Sequence, residues 1–295
     1  MKTELILILL LLFSNCGKSN IPDNKYLPPP AAIEKDSIIF DFNSKITELK
    51  KKLSKDFVYK TNSCFLIVSN LTEAETDRII NHTIISVEEC FYNDFFETKP
   101  DEIITIFLFK DDKTYRNWAY KLYEDDDLSP FGYYKPSKKV MLMNINTGSG
   151  TLVHEMTHAF VRYDFPDIPS WFNEGLGSLY ERCSIDNGEI LGYVNWRLPS
   201  LQSAIKNDSY TSLEMLMNTN DDEFYGTNSG FNYAQARYFC LFLQENKLLK
   251  KFYKSFRGRF SEDNTGKKFI SEILNKTMKE IDFSFIKWAG KLKYD

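Results

Sequence analysis

The sequence is short of several residue types on which common functions depend. It has three histidines and five cysteines in 295 residues, and no two cysteines form a CxxC pair. Cysteine-based zinc sites and thioredoxin-like redox chemistry are therefore unsupported. The net charge of -4 also leaves no excess of positive charge. Because a phosphate backbone requires a basic surface, nucleic acid is not an expected partner.

Long apolar runs are missing as well. Residues 5–13 form a run of nine apolar residues, which is too short to span a bilayer but is typical of a signal-peptide core. The residues that follow, Ser14-Asn15-Cys16-Gly17, resemble the end of a bacterial lipoprotein signal, in which the cysteine becomes the lipidated first residue. We therefore predict a signal peptide over residues 1–16 and an exported protein anchored to a membrane of the cell envelope through Cys16. Ordinary secretion, a periplasmic location and a short uncleaved anchor are the alternatives.

The remaining composition is that of a folded protein, since 43% of the residues are hydrophobic and can form a sizeable core. Residues 17–36 are polar and then proline-rich, which predicts an extended, flexible linker. An N-terminal α/β part, residues 37–125, and a second part, residues 126–295, follow. The four cysteines beyond Cys16 are widely spaced, and we expect them to be buried free thiols.

Apolar spacing predicts helices and strands along both parts. In the first part the predicted elements are helix 37–52, strand 64–68, helix 72–97, strand 103–109 and helix 111–123. Thr72 and Glu75 have the spacing of a capping box at the start of the helix 72–97. In the second part a hairpin ends in strand 139–144. Later segments are predicted as helices over residues 201–206, 212–216, 232–246, 250–256, 267–274 and 279–291.

Two of the three histidines lie in an HExxH pattern, His154-Glu155-Met156-Thr157-His158, within an amphipathic run. Residues four apart project from nearly the same face of a helix, so both imidazoles can bind one metal ion. Glu155 then lies beside them as a general base for a water that zinc polarises. A catalytic zinc keeps one of four positions open, so a third protein ligand is required.

Glu174 is the best candidate for that third ligand. The only other histidine, His82, is far upstream in the sequence. Pro166 and Pro169 end the HExxH helix, Ser170 can cap a second helix, and Glu174 falls about one turn into it. Two glycines follow Glu174 inside this predicted helix, although each glycine costs roughly 1 kcal/mol against alanine there. Close approach of the two helices would explain both.

These residues resemble the gluzincin branch of the zincins, and within it the peptidase families often labelled MA-like. The pattern is HExxH, a short gap, then a tryptophan and Asn-Glu-Gly, matched here by Trp171-Phe172-Asn173-Glu174-Gly175. The resemblance covers residues 130–182 well and residues 232–245 loosely. It implies one Zn²⁺ per chain and an α+β, zincin-like catalytic domain over residues 126–295, preceded by the α/β segment. The domain would have a small sheet whose edge strand, here residues 139–144, aligns a peptide.

Gluzincins also use a tyrosine or histidine to stabilise the tetrahedral oxyanion. With no histidine nearby in the sequence, the resemblance points to Tyr233 as the second catalytic residue after Glu155. Tyr225 and Tyr134 are the alternatives.

The side chains that hold the outer nitrogens of the two histidines are less well defined by the resemblance. Some family members place an acidic residue four positions after the glutamate ligand, where this chain has Ser178. Asp164, Asn173 and Glu181 are the candidates for this role.

The sequence thus predicts an exported zinc metallopeptidase that acts on a peptide or protein substrate. Two alternatives stay open. The first is a noncatalytic lipoprotein in which zinc only stabilises the fold, and the second is a zinc hydrolase of a non-peptide amide.

Overall fold

A five-stranded mixed sheet is the centre of the fold in the computed structural model, which describes residues 38–294. Its strands are β1 (Val58–Asn62), β2 (Phe65–Ser69), β3 (Ile104–Phe109), β4 (Gly132–Lys135) and β5 (Val140–Asn144). Their order across the sheet is β1-β2-β3-β5-β4. β2, β3 and β5 are parallel, whereas β1 and β4 pair antiparallel at the two edges. The three parallel strands are buried along their whole length, as strands covered on both faces must be.

The helices confirm most of the predicted elements and the α+β class. They are α1 (Phe42–Lys50), α2 (Glu73–Ile79), α3 (Ser86–Asp94), α4 (Asp112–Tyr123), α5 (Gly150–Asp164), α6 (Ser170–Tyr180), α7 (Leu198–Lys206), α8 (Leu213–Met217), α9 (Asp221–Phe224), α10 (Ser229–Glu245), α11 (Leu249–Gly258), α12 (Lys267–Leu274) and α13 (Met278–Ala289). A π-helical segment, Ile80–Ile85, joins α2 to α3. The helix predicted over residues 72–97 is therefore one continuous helical path that ends at Asp94, and the Thr72–Glu75 capping box is present.

One prediction about the sheet is wrong. Residues 139–144 were expected to form an edge strand, but β5 lies between β3 and β4, and the edge is β4. The reason is the connection: a 3₁₀ turn at Pro136–Lys138 folds the chain back, so that β5 pairs with β4 on one side and with β3 on the other. All five residues of β5 are buried, which suits an interior strand.

The two faces of the sheet bury different sets of side chains, because neighbouring residues of a strand point to opposite faces. On β3, Phe107 and Phe109 pack into a smaller core with α1 and α4. Ile106 and Leu108 point to the opposite face, into the larger core that holds α3, α5, α6 and the C-terminal helices. Strands from both sides of residue 125 join the one sheet, and residues 39–294 belong to a single compact unit.

Four short elements were not predicted, namely β1, α9 and the two strands of a hairpin. β1 has no fully buried residue and so lacks a clear apolar pattern. A hairpin of β6 (Cys183–Asp186) and β7 (Glu189–Gly192) follows α6. Its turn residues Asn187 and Gly188 have φ of 50° and 80°, the left-handed backbone that Asn-Gly hairpin turns adopt. The Asn-Gly pair was the signal that sequence reasoning missed.

The four described cysteines are free thiols, as expected; three are buried and Cys183 is half-buried. Within residues 38–294, no helix is long and apolar enough to cross a membrane. The predicted signal peptide, the lipidation site Cys16 and the linker over residues 17–36 lie outside the described residues.

Candidate metal centre

Helix α5 brings the two histidines of the HExxH pattern together. Leu152, Met156 and Phe160 are buried in the core and hold the helix against the sheet. His154 and His158 project from another face, and their Nε2 atoms lie 2.8 Å apart. The two imidazoles therefore point at one location, as expected for side chains one helical turn apart.

Helix α6 supplies the third group, Glu174. Its Oε2 atom lies 3.4 Å from Nε2 of each histidine. The expectation that Ser170 caps this helix is wrong: Pro169 is the N-cap, and the Ser170 hydroxyl instead donates to Asp221 Oδ1 at 2.6 Å. Pro169 has an extended backbone and lies directly before the first residue of α6. Proline suits this position because it has no N–H to donate inside a helix.

The two glycines of α6 allow close packing, but against different neighbours. A Cβ atom at Gly177 would lie 3.1 Å from ring atoms of His154 and His158, so this glycine gives α5 and its imidazoles room. A Cβ at Gly175 would lie 2.8 Å from Cys240 Sγ and 3.0 Å from the Ala236 carbonyl oxygen. Gly175 therefore allows close packing of α6 against α10. Only Gly177 allows the close approach of α5 and α6 that was expected of both glycines.

The three side chains fit a metal ion. Their ligand atoms all lie within 4.8 Å of one another. Glu174 Oε2 is a buried oxygen without a hydrogen-bond partner, which is costly unless a cation compensates it. Two imidazole nitrogens and one carboxylate oxygen form a donor set that Zn²⁺ binds, and three protein ligands are the number found in catalytic zinc sites. This buried group could hold a metal ion.

The outer nitrogens of both histidines lie near polar side chains, although only that of His158 forms a hydrogen bond. His158 Nδ1 lies 2.9 Å from Asn173 Oδ1, and His154 Nδ1 lies 3.2 Å from Glu181 Oε1. Arg197 is 3.3 Å from the same Glu181 oxygen. Partners of this kind fix the orientation of metal-binding imidazoles. Two of the three predicted candidates, Asn173 and Glu181, thus lie where they were expected.

Asp164 does not take part, so that prediction is wrong. It is at the end of α5, where its carboxylate accepts hydrogen bonds from the backbone of Glu97 and Thr98, from Tyr253 and from Arg257. Arg197 was missed, because it is in a loop after the β6–β7 hairpin and nothing in its local sequence points to the centre.

Neighbouring charges outweigh burial in setting the pKa values of His154 and Glu174. Burial lowers the pKa of His154, but the neighbouring carboxylates of Glu174, Glu181 and Glu155 raise it to about 10. Burial raises the pKa of Glu174, whereas the two histidines lower it by more, so the carboxyl has a pKa well below its ordinary value. Both shifts favour the charged forms, so an anionic Glu174 lies against the two imidazoles.

Glu155 is half-buried beside the three ligands. Burial raises the pKa of its carboxyl above the ordinary value. Its Oε2 accepts a hydrogen bond of 3.1 Å from the backbone N–H of Tyr134 on edge strand β4. This contact fixes the carboxylate between the free edge of the sheet and the candidate metal-binding group, which is His154, His158 and Glu174.

The three candidate tyrosines have different positions. The hydroxyl of Tyr225 donates to Glu174 Oε1 at 2.7 Å. Tyr233 lies next to Tyr225, with ring centroids 6.3 Å apart, and burial together with the charge of Glu174 raises its pKa. The hydroxyl of Tyr134 is buried and unpartnered, so this residue contributes its backbone to the site.

A pocket of about 490 Å³ opens in front of these groups. Strand β4, helices α5 and α6, and the tyrosines Tyr225 and Tyr233 form its walls. His154, Glu155, His158 and Glu174 all line it, so the metal-binding group is accessible from solvent.

No protein-family model matches the chain, and no curated protein has a matching sequence.

Proposed function

We propose that the protein is a zinc-dependent peptidase of the gluzincin type. The observation that carries this proposal is the convergence of His154, His158 and Glu174 on one point, with Glu155 beside them on the wall of an accessible pocket. A structural zinc site is usually closed by four protein ligands, whereas a site with three ligands that faces a pocket is typical of catalysis.

In this proposal His154, His158 and Glu174 hold the metal, and Asn173 and Glu181 orient the imidazoles. A bound zinc would polarise a carbonyl and lower the pKa of water toward 7. Glu155 acts as the general base: its carboxylate accepts a proton from the attacking water and passes it to the leaving amine. The raised pKa of Glu155 suits this exchange, because a base must also release its proton.

Strand β4 would align the peptide. It is an edge strand, so one side of its backbone is free to pair with an extended chain. Glu155 receives the Tyr134 N–H from this same side. A peptide that pairs with the edge of β4 therefore passes directly in front of the general base.

Tyr233 is the proposed stabiliser of the oxyanion. The hydroxyl of Tyr225 already donates to Glu174 and so belongs to the metal-binding group, whereas Tyr233 lines the pocket beside it. Replacing each in turn separates the two roles. We expect Tyr233→Phe to lower kcat by about 10²-fold with zinc affinity unchanged, and Tyr225→Phe to weaken zinc binding.

Elemental analysis of the purified protein tests the metal centre, and the third histidine supplies a matched control. We expect about one zinc per chain in the wild type and in His82→Ala, because His82 is exposed and far along the chain from the centre. His158→Ala and Glu174→Ala should lose zinc or bind it far more weakly. A zinc content that is the same in Glu174→Ala as in the wild type would contradict the assignment of Glu174 as a ligand. Full zinc without hydrolysis of any peptide in a broad screen would favour the noncatalytic alternative.

We also propose export and attachment to the cell envelope through a lipid on Cys16. The apolar run over residues 5–13 and the cysteine directly after it support this proposal. Mass spectrometry of the protein from membranes should show a lipidated N-terminal cysteine, and Cys16→Ala should release the protein from the membrane fraction. An unmodified Cys16 in mature protein would contradict it.

A further inference from the structure

Arg162 is a charged residue of the pocket that the proposed mechanism does not use. It is on α5, seven residues after Glu155 and four after His158. Because seven residues are nearly two full turns, Arg162 projects from the same face as Glu155, about 10 Å further along the helix axis. It lines the same pocket as the metal-binding group.

The guanidinium of Arg162 has no carboxylate partner. It is exposed, and within residues 38–294 no carboxylate oxygen lies within 4.0 Å of it. It is also the only lysine or arginine among the described residues that line the pocket. Three carboxylates also line the pocket, those of Glu155, Glu174 and Asp221. None of them lies within 4.0 Å of the guanidinium, so Arg162 forms no ion pair in the pocket.

The surroundings of Arg162 favour recognition of a ligand group over a simple solvated charge. Val161, Phe165 and Ile168 also line the pocket, so a ligand group that pairs with Arg162 would displace part of the water around the guanidinium and strengthen the ion pair. Burial raises the pKa of Tyr134 to about 12, and the charge of Arg162 opposes this shift. Arg162 and Tyr134 also line the same pocket, so the guanidinium shares it with strand β4, along which the peptide would lie.

We propose that Arg162 binds a carboxylate of the substrate and gives the enzyme a preference for acidic peptides. This inference rests on the proposed peptidase function. Arginine is always charged and offers paired N–H donors that match the two oxygens of a carboxylate. The carboxylate is either an aspartate or glutamate side chain two or more residues from the scissile bond, or the C-terminus of a short peptide, since the distance of about 10 Å along α5 allows both.

Quenched fluorescent peptides test the preference. In each peptide one position is Glu, Gln or Lys, and each peptide is made with a free and with an amidated C-terminus. We expect wild-type kcat/KM to be roughly fivefold higher for Glu than for Gln at the preferred position, because a partly exposed ion pair contributes up to this much. The ratio should fall at high ionic strength. A preference that survives amidation identifies a side-chain carboxylate, and one that amidation abolishes identifies the C-terminus.

Three variants assign the preference to Arg162. Arg162→Glu should remove the preference for carboxylates and favour Lys, whereas Arg162→Lys should keep most of it. Arg78→Glu changes the net charge equally at an exposed arginine of α2, outside the pocket, and should leave the ratio unchanged. A ratio of Glu to Gln, or of free to amidated peptide, that is the same in wild type and Arg162→Glu would overturn the inference.

Binding separates this inference from the proposed function. The same peptides are titrated into zinc-loaded Glu155→Gln and followed by fluorescence polarisation, which needs no turnover. Carboxylate-dependent binding without hydrolysis by the wild type would overturn the peptidase function and leave the role of Arg162 intact. Hydrolysis without any charge preference would overturn the role of Arg162 alone. Neither binding nor hydrolysis would overturn both.

Discussion

Helix α5 carries two clusters of charged side chains that are organised in opposite ways. At its end Asp164 is buried, and its two oxygens accept hydrogen bonds from Glu97 N, Thr98 N, Tyr253 and Arg257, at 2.7 to 2.8 Å. In its middle, the metal-binding group has Glu174 Oε2 buried without a hydrogen-bond partner. The protein itself supplies hydrogen-bond donors to both oxygens of Asp164. Glu174 Oε2 has no such donor and is free to bind a cation.

The difference separates a polar cluster that holds the fold from one that can bind a ligand. A buried carboxylate with a full set of donors stabilises the elements that it joins, here α5, the segment after α3, and α11. A buried carboxylate that faces two imidazole nitrogens and an accessible pocket could instead bind a cation. Substitutions in the two clusters should therefore affect different properties.

The largest expected effect is on catalysis, from Glu155→Gln. Glutamine keeps the shape of the side chain but cannot accept a proton, so we expect kcat to fall by about 10²- to 10⁴-fold. Zinc content and thermal stability should stay near the wild-type values, because Glu155 is not among the three ligands. Peptide hydrolysis, elemental analysis and calorimetry on the same preparation check this. A variant with full zinc-dependent activity would remove Glu155 from its proposed role.

Asp164→Asn should have the next largest effect, on stability alone. The amide would place an NH₂ group among donors and leave Arg257 without its buried partner, which costs about 3 kcal/mol of unfolding free energy. Zinc stoichiometry should be unchanged. Asp167→Asn, at an exposed aspartate three residues later, is the matched control and should change the urea midpoint little. If Asp164→Asn lost zinc while keeping its stability, the comparison between the two clusters would be wrong.

The sequence predicts that His154, His158 and Glu174 come together because short-range geometry determines most of this group. The HExxH spacing places His154 and His158 on one helix face whatever the rest of the fold does. Glu174 required one more step, the second helix after two prolines. Its distance of 3.4 Å from both histidines agrees with that reasoning. Elements with strong apolar periodicity, such as α10 and α12, were predicted to within about three residues for the same local reason.

What the sequence does not predict depends on contacts between distant segments. Arg197 approaches Glu181 from a loop 16 residues later, and Asp164 meets Arg257 across 93 residues. Strand order depends on which edges meet, and a pattern of apolar residues cannot show that β4 rather than β5 is at the edge. β1 was not predicted because none of its side chains is fully buried, so its sequence lacks a clear apolar pattern.

Glu181→Gln should weaken metal binding, and we expect this effect to be smaller than those of the two substitutions above. Glu181 Oε1 lies 3.2 Å from His154 Nδ1, and loss of such an outer carboxylate weakens metal binding by about 10- to 100-fold. Glu189→Gln, at an exposed glutamate of the neighbouring hairpin, is the control and should leave the affinity unchanged. Competition with a fluorescent zinc chelator measures both. Equal zinc affinities in the two variants would mean that Glu181 only pairs with Arg197.

The smallest expected effect is a change with pH in the contribution of Asp164 to the free energy of unfolding. The donors around Asp164 outweigh burial and hold its pKa below the ordinary value of 3.8. A carboxyl with a depressed folded-state pKa stabilises the protein fully above its unfolded-state pKa and loses this contribution as the pH falls through its folded-state value. The difference in unfolding free energy between wild type and Asp164→Asn should therefore be constant from pH 7 to about 5. Below pH 3.8 it should narrow by at most about 1.4 kcal/mol per pH unit, the limit for one proton. Urea titrations of both proteins with zinc chelated measure this difference, and a gap that widens in acid would show that the Asp164 pKa is raised instead.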